Sequence, residues 1–396
     1  MSQAVAISGA GCLCAAGMTL SDALSSMLRG ERHPQPPVAF TTSHPEAFQV
    51  FEIRDPLPVA GSDAELLRTT RLALSAAMEA LADAGLNIDD LRGKKVGVCV
   101  GTTVGSAMNN EDFYRDFRQG EEPSMAPIER YLRSNPAAAV ARHFQLDGPC
   151  QVVVNACSSG TDAIGLGASW VRAGLCDIAL VGGADELCRT TYNGFSSLMI
   201  FADEPCKPFD AKRKGLNLGE GAGMLVLESE ASLNERNKKE RGFVLGYGSG
   251  TDAYHLTAPH PDGIGLKRAV AEALTMGNVS ADQLAFINAH GTGTPDNDRV
   301  ESRVLAELFP QVPFVSTKCY TGHTLGAAGA IEAALSLACL EQGQIPANAG
   351  FSQQDPELPR CPVSEVTSFS GRIALSESLA FGGNNAAVLI GLEVPR

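Results

Sequence analysis

Short apolar runs that close on glycine recur along this chain, with alanine-rich segments of helical spacing between them. Ala4–Ser8 precedes Gly9-Ala10-Gly11, Val96–Val100 precedes Gly101, and Ile178–Val181 precedes Gly182-Gly183. Met224–Leu227, Phe243–Leu245, Ala285–Asn288, Phe314–Ser316 and Ala386–Ile390 follow the same style. Runs of about four to six apolar residues are what a buried strand requires. The segments Ala64–Gly85, Ser158–Gly174, Gly265–Gly277, Asn297–Leu308 and Gly326–Gln342 read as helices. The first is the clearest, with Leu67, Leu74, Ala77, Met78 and Leu81 near helical spacing and Gly85 as its stop. Strands alternating with helices predict an α/β architecture whose sheet is covered on both faces.

The pattern carries a weak two-fold echo. A charged stretch, Glu228–Arg241, reads as a solvated connector, and it divides the chain into halves at 1–235 and 236–396. Residues 31–62, rich in Pro and His, read as an irregular excursion.

Totals exclude several functions. With 31 Lys+Arg against 45 Asp+Glu the net charge is −14, the wrong sign for gripping a phosphate backbone, so no nucleic-acid partner is expected. Eleven cysteines, an odd number without paired CxxC modules, read as reduced thiols of a cytosolic protein and give no metal site. No apolar stretch reaches the ~18–20 residues of a membrane span. Residues Met1–Cys14 lack a basic flank and a signal-type apolar run. The expectation is a cytoplasmic protein without membrane insertion.

Four segments could carry chemistry. In Val152-Val153-Val154-Asn155-Ala156-Cys157-Ser158-Ser159-Gly160 an apolar strand delivers Cys157 to the head of a helix. The positive helix end there is expected to favour the thiolate. In Ile287-Asn288-Ala289-His290-Gly291-Thr292-Gly293-Thr294-Pro295 a strand ends on His290 above a Gly/Thr turn, where open α/β sheets place their clefts. Ser316–Glu332 supplies Lys318, His323 and Glu332 around a small-residue helix start. Leu379-Ala380-Phe381-Gly382-Gly383-Asn384-Asn385 is a glycine turn whose backbone N–H groups can meet an anion or a carbonyl oxygen. Each segment alone also suits a structural cysteine or a core histidine. Together Cys157, His290 and His323 form an acyl-transfer constellation.

At these residues the chain resembles the β-ketoacyl-[acyl-carrier-protein] synthases of the elongating Cys-His-His type, in the thiolase-fold superfamily. The resemblance runs over nearly the whole chain. It is carried by Asn155–Gly160, Lys207-Pro208-Phe209-Asp210 with Gly219-Glu220-Gly221-Ala222-Gly223, His290–Pro295, Lys318 with Gly322–Gly329, and Phe381-Gly382-Gly383. It implies two similar halves in a five-layered α-β-α-β-α arrangement, normally dimeric. A histidine, His323, as the third catalytic residue, where thiolases offer a cysteine and initiating synthases an asparagine, implies decarboxylative Claisen condensation with a malonyl-[acyl-carrier protein].

By resemblance, Cys157 holds the acyl group, and the N–H groups of Cys157 and Phe381 hold the oxyanion. Neutral His290 and His323 stabilise the enolate, Lys318 tunes them, and Glu332 orders the network. Thr292 and Thr294, with Gly382 and Gly383, correspond to substrate-binding positions. The implied partner is an acyl carrier protein bearing substrate on 4'-phosphopantetheine, with no other bound cofactor. Arg68, Arg71, Lys207, Lys212 and Arg213 are the basic candidates for docking it. Leu379 and Asn384 depart from the family's gate sequence, and Asn109–Asn135 is polar with Tyr114, Phe117 and Tyr131 interspersed. These departures suit a polyketide or aryl-polyene pathway as well as fatty-acid elongation. They suit a homodimer or a heterodimer with a chain-length-factor-like subunit. A non-condensing partner subunit or a plain acyltransferase on the same fold stays open.

Overall fold

A computed structural model describes residues 4–42, 44 and 47–395; of the 31–62 excursion, residues 43, 45 and 46 lie outside the described residues. The first eight strands are β1 (Val5–Cys14), β2 (Val96–Gly101), β3 (Cys150–Val153), β4 (Ile178–Asp185), β5 (Gly221–Glu228), β6 (Gly242–Thr251), β7 (Leu284–Asn288) and β8 (Phe314–Val315). A separate two-stranded ribbon pairs β9 (Gln344–Ile345) with β10 (Thr367–Ser368). The last two strands are β11 (Ile373–Ala380) and β12 (Asn384–Gly391).

Ten strands run in the order β3-β2-β4-β5-β1-β6-β12-β11-β7-β8. The β2–β3 and β2–β4 pairs are parallel, while β4–β5 and β5–β1 are antiparallel. Across the β1–β6 junction the same sequence of directions repeats: β6–β12 and β12–β11 antiparallel, β11–β7 and β7–β8 parallel. The junction itself rests on Val5–Ile7 against Gly242–Val244. The two five-stranded units are thus copies of one topology.

Three buried apolar clusters separate the layers. One lies under the helices Arg68–Ala84 and Pro136–Phe144 and includes Leu72, Ala76, Val98 and Leu180. The middle one joins the helices Ser159–Arg172 and Ala328–Gln342 through Ile164, Leu225, Ile331 and Leu335. The third, under Ile264–Gly277 and Pro295–Leu308, includes Leu266, Val304, Leu375 and Leu389. Helix, sheet, helix, sheet and helix are therefore stacked in five layers.

Gly9 and Gly11, expected to end a strand, lie inside β1. A Cβ at either would fall 2.2 Å from the carbonyl oxygen of Ala80 or Ala76, so glycine here lets the covering helix lie on the strand. Gly85 does stop that helix, in the left-handed conformation. The helix begins at Arg68, after a short 3-10 turn over Gly61–Glu65. No helix among the described residues is long and apolar enough to cross a membrane.

Candidate active site

The nucleophile candidate sits where β3 gives way to the helix Ser159–Arg172. Ala156, just before Cys157, has φ +49, a conformation that costs a β-carbon-bearing residue about 1–3 kcal/mol. Its carbonyl is held by Ser159 Oγ at 2.6 Å and Thr103 Oγ1 at 3.2 Å. Behind the turn, Asp162 accepts from Ser158 Oγ at 2.8 Å, Asn155 Nδ2 at 2.6 Å and Tyr247 Oη at 2.7 Å. Tyr247 comes from β6, so the second half of the chain braces the turn of the first.

Cys157 is buried, and burial pushes its thiol up to about 11 despite the N–H groups of Phe381 and Cys157 and the charge of Lys318. This corrects the sequence expectation of a thiolate-stabilised cysteine. The helix end is present, but loss of hydration outweighs it. The N–H groups of Phe381 and Cys157 do converge on the sulfur, the arrangement an oxyanion needs.

His323 Nε2 lies 3.1 Å from Cys157 Sγ, and its Nδ1 accepts the Leu325 N–H at 3.2 Å. A neutral ring that accepts at Nδ1 carries its proton on Nε2, so His323 is a donor toward the sulfur. His290 Nδ1 lies 3.1 Å from Lys318 Nζ, which also pairs with Glu332. An ammonium donates only, so His290 likewise keeps its proton on Nε2. Burial and the nearby Lys318 charge, with His323 added for His290, hold both imidazoles well below the usual histidine range. The two rings meet edge to face at 5.3 Å.

One cavity is lined by Cys157, His290, His323, Thr292, Thr294 and Phe381, among others. Thr292 Oγ1 and Thr294 Oγ1 are 2.9 Å apart on its wall. Gly291 has no room for a side chain, since a Cβ would meet Ser316 at 2.5 Å and Phe209 at 2.7 Å. Phe195, which the sequence gave no reason to single out, stacks on Phe381 at 5.5 Å and lies edge-on to His323 at 6.5 Å. Its only local signal is an aromatic in a short polar helix, Arg189–Ser197.

Several expected residues lie elsewhere. Gly382 donates its N–H to Leu256 O at 2.8 Å, and neither Gly382 nor Gly383 lines the cavity. The N–H of this turn that meets the sulfur is that of Phe381, as the resemblance implied. Leu379 does line the cavity, but Asn385 lines it in place of Asn384, whose Oδ1 is 3.3 Å from Thr251 Oγ1.

Of the docking candidates, Arg68 is committed inward, with Nε 2.8 Å and Nη2 2.6 Å from the buried Glu220. Arg213, 4% exposed, pairs with Asp355 at 2.6 Å and faces Asp298 at 3.7 Å. Both are structural ion pairs, which local charge in a sequence cannot distinguish from a solvated patch. Arg71 is half-buried with its Nε unpartnered, Lys207 is half-buried beside Glu204 at 2.6 Å, and Lys212 is exposed.

The Beta-ketoacyl synthase N-terminal domain matches residues 2–232, and the Beta-ketoacyl synthase C-terminal domain matches residues 241–352. A 3-oxoacyl-[acyl-carrier-protein] synthase 2 of Synechocystis sp. is 31% identical over 97% of this chain and 97% of its own length. The ketoacyl synthase alpha subunit of the tetracenomycin polyketide synthase, from Streptomyces glaucescens, is 31% identical over 82% and 81%. Among solved structures, the ishigamide ketosynthase/chain length factor superposes with a TM-score of 0.91 at 31% identity, covering 99% of this chain and 100% of its own.

Proposed function

The chain belongs to the β-ketoacyl synthase family, and from that premise we propose how its own residues carry out the condensation. It is an acyltransferase that joins an enzyme-held acyl group to malonyl-[acyl-carrier protein], in fatty-acid or polyketide biosynthesis. The carrier protein would dock through Arg71, Lys207 and Lys212 and deliver its phosphopantetheine-linked substrate along Thr292 and Thr294. The reaction would run in the cytoplasm. The partner subunit is a second copy or a chain-length-factor-like chain, a reading supported by the ishigamide neighbour.

The observation that carries the mechanism is one cavity lined by Cys157, His290 and His323, with Nδ1 of each ring already engaged so that Nε2 is left to donate. In acylation the Cys157 sulfur bonds the acyl carbon, the carrier's C–S bond breaks, and the thiol proton leaves with the carrier thiolate. The N–H groups of Cys157 and Phe381 hold the oxyanion of that step. The malonyl thioester then enters, and its C–CO2 bond breaks. The electron pair moves into the thioester, whose oxygen accepts from His290 and His323. The resulting carbon attacks the acyl-Cys157 carbonyl, the C–S bond to Cys157 breaks, and the cysteine recovers its proton from water. Neither histidine needs to act as a base, because both already hold their protons where the enolate oxygen forms.

Intact-protein mass spectrometry tests this directly. Incubation with an acyl-carrier protein should leave one acyl adduct, absent in Cys157→Ala and discharged by malonyl-carrier protein in the wild type. A full adduct on Cys157→Ala, or an adduct indifferent to malonyl donor, would overturn it.

A further inference from the structure

Behind the His290 turn lies a carboxyl that the mechanism does not use. Strand β11 alternates its faces, and Ser378 Oγ meets Thr161 Oγ1 at 2.9 Å on the central-layer side. Glu377 therefore points the other way with Leu375 and Leu379, into the cluster of Leu266, Val304 and Leu305. It is fully buried, and neither of its carboxyl oxygens meets an N–H or O–H donor among the described residues. The charge that bears on it is that of another fully buried carboxyl, Glu301 of the helix Pro295–Leu308.

Glu301 is itself occupied. Its Oε1 accepts the His290 N–H at 2.5 Å, and its Oε2 accepts the Gly291 N–H at 2.8 Å and Asn297 Nδ2 at 3.1 Å. Two carboxylates in one apolar layer cannot both be ionised, so one proton must lie between them. Glu301, receiving three N–H groups, keeps the charge. Glu377, receiving none, keeps the proton.

We propose that Glu377 is a positioning residue for His290: as a neutral acid it donates to the Glu301 carboxylate, which clasps the backbone of the His290-Gly291 turn. The device rests on the role given to His290 above. The other groups facing the pair are Asp298 on the same helix, which repels its charge, and Lys318, which attracts it. Burial, then the Glu301 charge, holds Glu377 well above the ordinary carboxylate range. An acid raised on folding contributes stability that is complete below its unfolded value and lost as pH climbs through its folded value.

Three measurements on the full-length protein separate the shared proton from the reaction. At neutral pH, infrared difference spectra should show a protonated carboxylic-acid carbonyl band in the wild type that is missing in Glu377→Gln. Between about pH 6 and 9 the wild-type unfolding midpoint should fall relative to that of Glu377→Gln, whose amide donates without titrating. Glu377→Leu should lose about tenfold or more in malonyl decarboxylation while acylation of Cys157 stays within about twofold, with Glu377→Gln restoring the loss. Absence of the band together with parallel stability curves would overturn the shared proton, whatever the activities. The band and the stability difference with undiminished decarboxylation in Glu377→Leu would overturn the positioning of His290 alone.

Discussion

Whether Cys157 waits as thiol or thiolate is decided by two opposed effects at one atom. The helix end, two N–H groups and Lys318 favour the anion, while burial disfavours it, and burial prevails. The alkylation rate with iodoacetamide should therefore rise about tenfold per pH unit from neutral pH upward, without levelling off near pH 7. A plateau there would mean a resting thiolate. For the histidines, replacing either His290 or His323 with alanine should cost about 100- to 1000-fold in decarboxylation, the loss expected for one donor to a developing anion. Acylation of Cys157 should survive in part, read as adduct mass, because the sulfur is not deprotonated by either ring. Cys157 and His290 were legible in the sequence because each follows an apolar run and precedes small residues, whereas His323 was legible through the family motif Gly322–Gly329. Phe195, Asp162 and Tyr247 were not, since they reach the site only through contacts between distant segments. The protonation of Cys157 was not legible either, because depth of burial is a property of the assembled layers.

At the scale of elements, glycine was the sign most easily misread. Gly9, Gly11 and Gly182 lie within strands that continue for several residues beyond them. What they provide is close approach of backbones rather than a stop. Gly9→Ala should therefore cost at least ~1–3 kcal/mol, the usual range for overpacking, seen as a lower denaturation midpoint, with Gly11→Ala similar. A neutral outcome would mean that the helix Arg68–Ala84 can lift from β1 without loss. In the ten-stranded sheet the strand that escaped sequence reading was β11, Ile373–Ala380, whose Ser376-Glu377-Ser378 core breaks the apolar run. Of its polar residues, Ser378 finds a partner on a neighbouring layer in Thr161, while the Ser376 hydroxyl has no hydrogen-bond partner among the described residues and Glu377 meets no donor. A strand can thus be wholly buried and still look like a loop when a side-chain partner, as for Ser378, comes from another element.

At the scale of the molecule, the α/β class followed from alternation of strand and helix and the five layers from the family resemblance, but the surfaces followed from neither. Arg68 shows why: reversing it to Glu was the natural test of carrier docking, yet the buried Glu220 would then face a like charge. Arg68→Glu should unfold the protein at a denaturant concentration well below wild type, by about 3 kcal/mol or more. Lys212→Glu should leave stability unchanged and slow carrier association in a salt-sensitive way. The two ends of the ten-stranded sheet differ as well. Beyond β8 the Phe314 carbonyl accepts the Val363 N–H at 3.0 Å, so that edge is covered. Beyond β3 no described strand follows, Val154 is 66% exposed, and Tyr114, Phe117 and Leu132 stand exposed on two short helices that precede it in the chain. An open strand end with uncovered aromatic side chains favours pairing with another chain. A second copy that set its own β3 against this one across a two-fold axis would satisfy such an edge. Val152→Pro removes a donor from that edge and Val154→Glu places a charge on it, so the double variant should sediment as a monomer while the wild type does not. If the wild type alone is already monomeric and dimerises only when a related subunit is supplied, the same edge is specific for a partner that differs from itself. A double variant that sediments with the wild type would place the interface on another face.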